Sequence, residues 1–285
     1  MRTNSMKAKW GLTGSMLIFG TIGLFRRKID LPSSVIACFR GIIGAAFLLA
    51  VVLLGRKKMS GTAIRKNLPV LLLSGAAIGL NWVFLFEAYE YTTVACATLL
   101  YYMAPVIVIL VSPFVLKESF SLMKAVCVAV AIIGMVMASG VIGEGGGLSL
   151  KGTIFGLLAA VLYASVIIMN KKMGEIGPYD KTIIQLFVAA LVVIPYILVT
   201  EDVASFTIDT KAIIMLVLVG IVHTGIAYAL YFGAMDRVPA QTVAFLSYID
   251  PVVALILSMT VLGEAMNIVQ LVGAALVLGA SAKQL

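Results

Sequence analysis

Charged residues are scarce in this chain. Asp, Glu, Lys and Arg make up 12% of its 285 residues, whereas 62% are hydrophobic and the mean hydropathy is +1.11. A soluble domain carries roughly 25% charged residues. Because the charged surface of a soluble domain is missing, lipid must cover most of the exterior. The net charge of +8 does not indicate nucleic-acid binding, since the basic residues lie in short loops between apolar runs.

Cysteine and histidine are also rare, and nucleotide-binding motifs are absent. The 3 cysteines, Cys38, Cys96 and Cys127, fall in apolar segments, and an odd number there gives neither a disulfide framework nor a metal-ligand spacing. The single histidine, His223, has no second His or Cys at ligand spacing. No Gly-x-x-x-x-Gly-Lys-Ser/Thr sequence is present. The sequence therefore predicts no metal, no cofactor and no catalytic group, and we infer no cleavable signal peptide.

The chain instead contains ten apolar runs, each near the length that crosses ~30 Å of hydrocarbon. They lie at roughly 10–25, 33–54, 68–90, 93–115, 121–141, 152–170, 181–199, 212–235, 240–262 and 267–282. We therefore predict an all-α membrane protein with ten transmembrane helices, which we number as spans 1 to 10.

A repeated pattern relates the two halves of the chain. Leu72, Gly79, Phe86, Ala88, Tyr102, Pro105, Val106 and Glu118 each recur 146 residues later, with no gap. With five spans in each half, the second copy enters the membrane from the opposite side. The sequence predicts two inverted-topology repeats, 1–141 and 152–285, joined by a connector at 142–151 that contains a glycine-rich stretch at 143–147.

The basic residues predict an orientation. If the N-terminus is cytoplasmic, fifteen Lys and Arg residues fall on the inside and five on the outside, with Arg40 left within the membrane. Cytoplasmic loops carry the excess of Lys and Arg in membrane proteins. We expect both termini to be cytoplasmic, although the Arg26–Lys28 cluster then lies on the outside against the trend.

Several features together resemble a known family. Arg40 lies early in span 2, an Ala-Tyr-Glu-Tyr-Thr-Thr stretch at 88–93 leads into span 4 with Pro105, and Glu118 and Glu264 close spans 4 and 9 before a Gly-rich helix. In these features the whole chain resembles the EamA-type transporters of the drug/metabolite transporter superfamily. The resemblance implies a multi-pass carrier of small metabolites, often amino acids or drugs and frequently outward, without enzyme activity or prosthetic group. It implies that spans 3, 4, 8 and 9 lie near the pathway.

Asp250 is the first candidate for the transport pathway. It lies near the middle of span 9, at the place that Ala104 takes in the first repeat. A carboxylate at the bilayer centre costs at least ~2.5 kcal/mol, so it usually faces a bundle interior or a wet cavity. Asp250 is thus predicted to bind a proton or a cationic substrate. The alternative is a structural acid that bonds backbone groups freed by Pro251.

Three further ionisable residues lie within the membrane. Arg40 in span 2 and Glu87 in span 3 have comparable depths and opposite charges. They are predicted either to form an ion pair that locks the two spans, or to serve transport, with the pair breaking or Arg40 binding a substrate carboxylate. His223 lies in the middle of span 8, where it is either a proton relay or a helix-packing residue.

Aromatic and neutral polar side chains fall on the same spans. The residues predicted to line the pathway are Asn81, Trp82, Tyr101, Tyr102, Ser247 and Tyr248. Asp250 projects about 160° from Tyr248 on a helix, so one of the two points away from the pathway unless Pro251 distorts the span. Pro105 and Pro251 lie at symmetry-related positions in spans 4 and 9. They are predicted to act either as hinges of two gates or as static kinks that shape the packing.

The favoured function is a secondary carrier for an amino acid, an amine or a similar metabolite in the cytoplasmic membrane. It would work by alternating access, as an exporter. Exchange of the substrate for protons is a further possibility, because Glu87, His223 and Asp250 are titratable groups within the membrane. Its expected partners are the substrate and lipid, not nucleic acid, and a homodimer is left open. One alternative is a passive channel. A less favoured one is a membrane-embedded enzyme on a lipid-linked substrate, which would need clustered His, Asp or Glu residues.

Overall fold

The structure is a computed structural model that describes residues 2–26, 28–56, 59–92, 94–138, 149–261, 263 and 267–282. The glycine-rich part of the connector, 143–147, and Glu264 lie outside these residues. Throughout the described ranges the chain forms helices and no strands.

The helices fill the ten predicted spans. The first half contains α1 (Arg2–Arg26), α2 (Ser33–Leu54), α3 (Gly61–Tyr91), α4 (Val94–Tyr101), α5 (Ala104–Val115) and α6 (Leu122–Ala138). The second half contains α7 (Leu150–Lys172), α8 (Pro178–Thr200), a 3-10 turn (Val203–Ser205), α9 (Thr210–Leu218), a π-helix (Val219–Ile226), α10 (Ala227–Met235), α11 (Ala240–Ser247), α12 (Ile249–Val261) and α13 (Ile268–Ala282). Spans 4, 8 and 9 are each built from successive pieces: α4 with α5, α9 with the π-helix and α10, and α11 with α12.

The outside of the bundle is apolar. By length and composition, 6 helical segments of the described chain are long and apolar enough to cross a membrane: Ser33–Leu54, Gly61–Tyr91, Ala97–Val115, Leu150–Lys172, Pro178–Thr200 and Thr210–Met235. The helices of spans 5 and 10 are shorter and apolar. Leu54, Phe114 and Val199 are 85%, 87% and 86% exposed, as suits side chains that face lipid.

The two repeats pack mainly against each other. α3 lies against α7 and α8, α2 against α8 and the π-helix, α1 against α10 and α12, α5 against α11 and α7, and α6 against α13. The 146-residue shift converts each of these contacts into itself or into another member of the set. The predicted inverted repeats are therefore related by one pseudo-two-fold axis, and they share one core.

The breaks in spans 4 and 9 follow from proline chemistry. α4 ends at Tyr101 and α11 ends at Ser247, in each case four residues before a proline, Pro105 or Pro251. A proline ring clashes with the carbonyl four residues earlier and supplies no N–H to bond it. Both spans are therefore interrupted at equivalent positions, and whether the two prolines act as hinges of gates or as static kinks stays a prediction.

Glycines allow the closest helix crossings. A Cβ atom on Gly273 of α13 would lie 2.5 Å from the backbone nitrogen of Ala138, and one on Gly134 of α6 would lie 2.8 Å from the carbonyl oxygen of Gly273. Small residues at such crossings let helix backbones approach in lipid, where packing drives association. These two glycines fix the distance between spans 5 and 10.

Candidate functional site

A cavity of about 990 Å³ lies between the two repeats. Side chains from α1, α2, α3, α4, α7, α8, the π-helix, α10 and α12 line it. Spans 3, 4, 8 and 9 all contribute, as the family resemblance implied, and spans 1, 2, 6 and 7 contribute as well. Spans 1 and 6 are equivalent positions in the two repeats, so the pseudo-two-fold axis brings both to the wall.

The cavity opens at one end of the bundle. Leu24 near the end of α1, Ser34 at the start of α2, Glu90 near the end of α3 and Glu201 after α8 all line it, and these helix ends lie together. We call this the open end. The closed end is the opposite one, where α7 and α10 end and α8 and α11 begin. At the open end Ser34 Oγ donates a hydrogen bond of 2.5 Å to Glu201 Oε1.

Asp250 lies on the cavity wall in the first turn of α12. The hydroxyl of Tyr102, from the break in span 4, donates a hydrogen bond of 2.9 Å to Asp250 Oδ2. The contact therefore joins the two broken spans across the two repeats. The backbone of α1 comes very close here, since a Cβ on Gly20 would lie 2.7 Å from the Asp250 carbonyl oxygen.

Arg40 supplies a positive charge to the same cavity. Its guanidinium carbon lies 4.5 Å from the centroid of the Trp82 ring, which also lines the cavity. The Nε atom of Arg40 is buried and has no hydrogen-bond partner. Tyr228, from α10, lines the same cavity as Arg40 and Asp250. The cavity is thus bipolar, and its cation has hydrogen-bonding capacity left over.

Tyrosines form much of the inner wall. Tyr101 stacks on Tyr163 with ring centroids 5.4 Å apart and planes at 6°, and Tyr101 meets Tyr102 edge to face. The hydroxyl oxygens of Tyr163 and Tyr231 lie 3.2 Å apart. The sequence reasoning missed Tyr163. A tyrosine in the middle of an otherwise apolar span 6 is the signal that could have found it, because such a hydroxyl needs a partner.

No ion pair joins Arg40 and Glu87 among the residues that the structure describes, and a pair in another conformation stays a prediction. Glu87 is not on the cavity wall, and it lies beside Tyr196 of α8. The physical reason is the helix arrangement: α2 packs chiefly on α8 and the π-helix and only slightly on α3, so spans 2 and 3 are not close neighbours. Similar depth in the membrane did not bring the two side chains together.

His223 is a buried packing residue in this conformation. It lies in the π-helix, is 1% exposed and does not line the cavity. Its Nε2 lies 2.8 Å from Thr21 Oγ1 of α1, and its ring centroid lies 4.9 Å from that of Phe25. The Thr21 hydroxyl donates to the Ile18 carbonyl at 2.7 Å, so it accepts from His223. This fits the helix-packing alternative, and a proton relay stays a prediction.

The remaining predicted residues divide between the cavity and the packing behind it. Asn81 lines the cavity and also donates from Nδ2 to the Ala159 carbonyl at 2.6 Å, which ties α3 to α7. Ser247 and Tyr248 are each 1% exposed and are not on the cavity wall. Tyr248 faces a separate apolar pocket of about 130 Å³ behind Tyr102. Of the pair Asp250 and Tyr248, the tyrosine is the one that points away.

The closed end is held by side chains that reach the turn between α10 and α11. Lys171 Nζ donates to the carbonyl oxygens of Met235 at 3.0 Å and Val238 at 2.7 Å. The carboxylate of Glu118 accepts from the backbone N–H of Ala240 at 2.6 Å and Gln241 at 3.1 Å. Glu118 therefore caps the N-terminus of α11.

Further polar contacts lie at the same end. Lys181, which is 0% exposed, donates to the two carboxylate oxygens of Asp236 at 2.9 and 2.7 Å. Gln241 Nε2 donates to Ser112 Oγ at 2.8 Å, between α11 and α5. The sequence reasoning counted Lys171 and Lys181 only as orientation signals, because nothing local shows where a long side chain at a helix end will bend.

The sequence profile of the EamA-like transporter family matches residues 7–140 and again residues 150–282. The chain belongs to the EamA-like transporter family. This EamA-like transporter is 29% identical over 261 residues to the uncharacterized transporter YxxF of Bacillus subtilis, covering 91% of this chain and 83% of that protein. It is 27% identical over 229 residues to a probable amino-acid metabolite efflux pump of Salmonella typhimurium, covering 75% and 76%.

A solved crystal structure shares the fold of this EamA-like transporter. The two superpose with a TM-score of 0.86 over 97% of this chain and 96% of that one, at 20% identity. The likeness concerns the fold alone. With the family match, it confirms the predicted resemblance and identifies a multi-pass membrane transporter.

Proposed function

We propose that this protein is a secondary carrier for small zwitterionic amino acids with apolar or aromatic side chains, and that it works by alternating access. The observation that carries the proposal is the cavity of about 990 Å³ between the repeats, whose wall holds both a cation, Arg40, and an anion, Asp250. A relative that is a probable amino-acid metabolite efflux pump supports the choice of an amino acid.

The two charges suit the two ends of a zwitterion. Arg40 presents a planar guanidinium with unused donors, and such a group binds a carboxylate through two parallel hydrogen bonds. Asp250 presents a carboxylate whose hydrogen-bond donor in the structure is the Tyr102 hydroxyl, and a carboxylate can accept more than one bond. A substrate ammonium group would complete its partners. An uncompensated charge in such a place is costly, so a ligand of opposite charge is favoured.

The remaining wall suits an apolar side chain. Tyr101, Tyr163, Tyr228 and Tyr231 present ring faces and edges to the cavity. Aromatic walls with a few placed polar groups are typical of small-molecule sites, whose volumes run from about 300 to 1,000 Å³. The measured volume of about 990 Å³ leaves room for an aromatic amino acid together with water.

The closed end favours a carrier over the passive channel. A channel needs a continuous path, whereas Gln241 and Ser112 bond across α5 and α11 at the closed end, and Lys181 and Asp236 bond between α8 and the turn after α10. We infer that substrate crosses only when these contacts part and the open end narrows. A saturable rate that rises when substrate is preloaded on the far side supports the carrier, and a rate linear in concentration supports the channel.

The orientation is part of the proposal. The excess of Lys and Arg lies at the closed end, so the closed end is placed in the cytoplasm and the open end outside, with both termini cytoplasmic and export as the direction. On a cysteine-free background, Arg65→Cys at the start of α3 should react with a membrane-impermeant thiol reagent from the cytoplasmic side. Reaction from the outside would reverse the assignment.

Three matched compounds test the substrate class in proteoliposomes. Phenylalanine carries both charges, phenethylamine lacks the carboxylate, and 3-phenylpropanoate lacks the ammonium group. We expect phenylalanine to exchange across the membrane and to be favoured over either analogue by about tenfold, the effect of one lost charge-assisted contact. If the amine exchanges as fast as phenylalanine, Arg40 does not bind a carboxylate and the zwitterion proposal fails.

Proton exchange is the second use open to Asp250. An intramembrane carboxylate that binds substrate in one step can bind a proton in the next. Uptake of phenylalanine driven by an imposed pH gradient alone, in the absence of preloaded substrate, would support exchange with protons. Uptake that responds only to a substrate gradient would mean that Asp250 binds the substrate ammonium group and does not carry protons.

A further inference from the structure

Three charged side chains from three different segments converge on the turn from Met235 to Gln241. Lys171 comes from the end of α7, Lys181 from the start of α8, and Glu118 from the segment that follows α5. The last of these belongs to the first repeat, and the turn belongs to the second. One short turn is therefore tied to both repeats at once.

The charges are placed where the helix ends favour them. The ammonium group of Lys171 meets the carbonyl of Met235, the last residue of α10, and that of Val238 in the turn. The carboxylate of Glu118 meets the N–H groups that begin α11. A helix carries partial negative charge at its C-terminus and partial positive charge at its N-terminus. Both contacts satisfy backbone groups that the helices themselves leave free. Asp236 lies between them and pairs with Lys181.

The equivalent positions at the open end keep the acids of this cluster but not its cations. A shift of 146 places Phe25 at the position of Lys171, Val35 at that of Lys181 and Ala95 at that of Gln241. Glu90 corresponds to Asp236 and Glu264 to Glu118, so both acids are kept, whereas both lysines are replaced by apolar residues. Two repeats that share a backbone plan therefore differ at the residues that close one end.

We propose that Glu118, Lys171, Lys181 and Asp236 form a latch that holds the closed end shut, so that the transporter rests with its cavity facing the open end when no substrate is bound. The inference rests on the proposed alternating access and adds the residues that set its resting state. Release of the Met235–Gln241 turn from this latch is the step that opens the cytoplasmic side, and the two cations of the latch are replaced by Phe25 and Val35 at the equivalent positions of the open end.

A pair of equivalent positions reports the two states. Ala254 of α12 lines the cavity and is exposed, whereas its equivalent in the first repeat, Val108 of α5, is 0% exposed. If the closed end opens, the inverted repeats predict that Val108 becomes accessible as Ala254 is covered. The test uses the full chain with Cys38, Cys96 and Cys127 changed to Ala, and carries either Ala254→Cys or Val108→Cys.

The matched variants are Lys171→Ala and Lys172→Ala. Both remove one positive charge at the same helix end, but Lys172 is exposed and only Lys171 belongs to the latch. A membrane-impermeant maleimide is applied to each side of the membrane in turn, without substrate. For Lys171→Ala we expect the labelling rate of Val108→Cys to rise about tenfold, and that of Ala254→Cys to fall, since hydrogen bonds to charged groups carry that much bias. Lys172→Ala should leave both rates unchanged.

The proposal is overturned if Lys171→Ala leaves both labelling rates at the wild-type values, or if Lys172→Ala changes them equally. Asp236→Asn, which keeps the volume and removes the charge, serves if Lys171→Ala does not fold, with the same expected direction. Labelling needs no substrate. If the labelling rates shift but phenylalanine does not exchange, the latch is supported and the substrate proposal fails. If phenylalanine exchanges but the labelling rates do not shift, the latch proposal alone fails.

Discussion

The two ends of the bundle use charge in different ways. At the closed end Glu118, Lys171 and Lys181 all have hydrogen-bond partners between 2.6 and 3.1 Å away. In the cavity that reaches the open end, Arg40 Nε is buried without a partner and Asp250 accepts from Tyr102. Satisfied charges hold the structure together, whereas charges with spare capacity are free to bind a ligand. The difference predicts that removing charge at one end changes stability and at the other changes transport.

The largest effect should come from the cavity. Asp250→Asn keeps the size of the side chain and can still accept the hydrogen bond from Tyr102, but it loses the charge. We expect phenylalanine exchange in proteoliposomes to fall about a hundredfold, because a bond to a charged group contributes roughly 1.5–3 kcal/mol. The melting temperature in detergent should stay close to wild type. A variant that exchanges normally would show that Asp250 is the structural acid beside Pro251.

The next effect should come from the closed end. Asp236→Ala leaves Lys181, which is 0% exposed, without its counter-ion. A fully buried pair loses about 3–5 kcal/mol in this way, and the 44% exposure of Asp236 reduces the expectation to about 2 kcal/mol.

The control for Asp236→Ala is Glu90→Ala, the equivalent position at the open end. That change should alter stability by no more than about 0.5 kcal/mol, as exposed substitutions usually do. Chemical denaturation in the same detergent measures both variants. Equal losses of unfolding free energy for Asp236→Ala and Glu90→Ala would mean that charged groups stabilise both ends of the bundle equally, which contradicts the proposed difference.

A smaller effect on transport should follow from Arg40→Lys. The charge remains, but the planar group that lies over Trp82 and can hold a carboxylate with two bonds is lost. We expect the KM for phenylalanine to rise about fivefold, from the loss of roughly 1 kcal/mol of binding. The KM for phenethylamine, if it is carried at all, should not change. A rise of the same size for both compounds would assign Arg40 to the shape of the cavity instead.

The smallest effect should come from the contact between Gln241 and Ser112. Gln241→Ala installs the residue found at the equivalent position, Ala95. Interhelical hydrogen bonds in membrane proteins average about 0.6 kcal/mol in double-mutant cycles. We expect a coupling of this size between Gln241→Ala and Ser112→Ala in unfolding experiments. A coupling free energy near zero would mean that the charged groups alone, and not the Gln241–Ser112 hydrogen bond, stabilise the closed end.

Sequence reasoning reached the fold because its signals are local or repeated. Apolar length gave the spans, the 146-residue shift gave the repeats, and Pro105 and Pro251 marked breaks that follow from ring geometry. Asp250, Trp82 and Tyr102, which are predicted to lie on the transport pathway, all line one cavity, because a polar or aromatic group in the middle of a span has few other places to lie.

The parts that sequence reasoning missed depend on which helices are neighbours. The Arg40–Glu87 pair assumed that spans 2 and 3 touch, whereas α8 is the shared neighbour of both. Tyr163 and the closed-end lysines needed the arrangement of spans 6, 7 and 8 relative to the first repeat. Helix order along the chain does not fix that arrangement, because the repeats interlock and bring distant spans together.

The interlocked packing also bears on how the chain is made. α3 finds its main neighbours in α7 and α8, and α2 finds its main neighbours in α8 and the π-helix, all of which are synthesised later. At about 5–20 residues per second, α3 remains without α8 for on the order of ten seconds after it leaves the ribosome. During that time Asn81 and the glycines that face α8 lie against lipid or the insertion machinery. The five spans of the first repeat must therefore persist in the membrane without their main packing partners. The native bundle assembles only when the second repeat has been inserted.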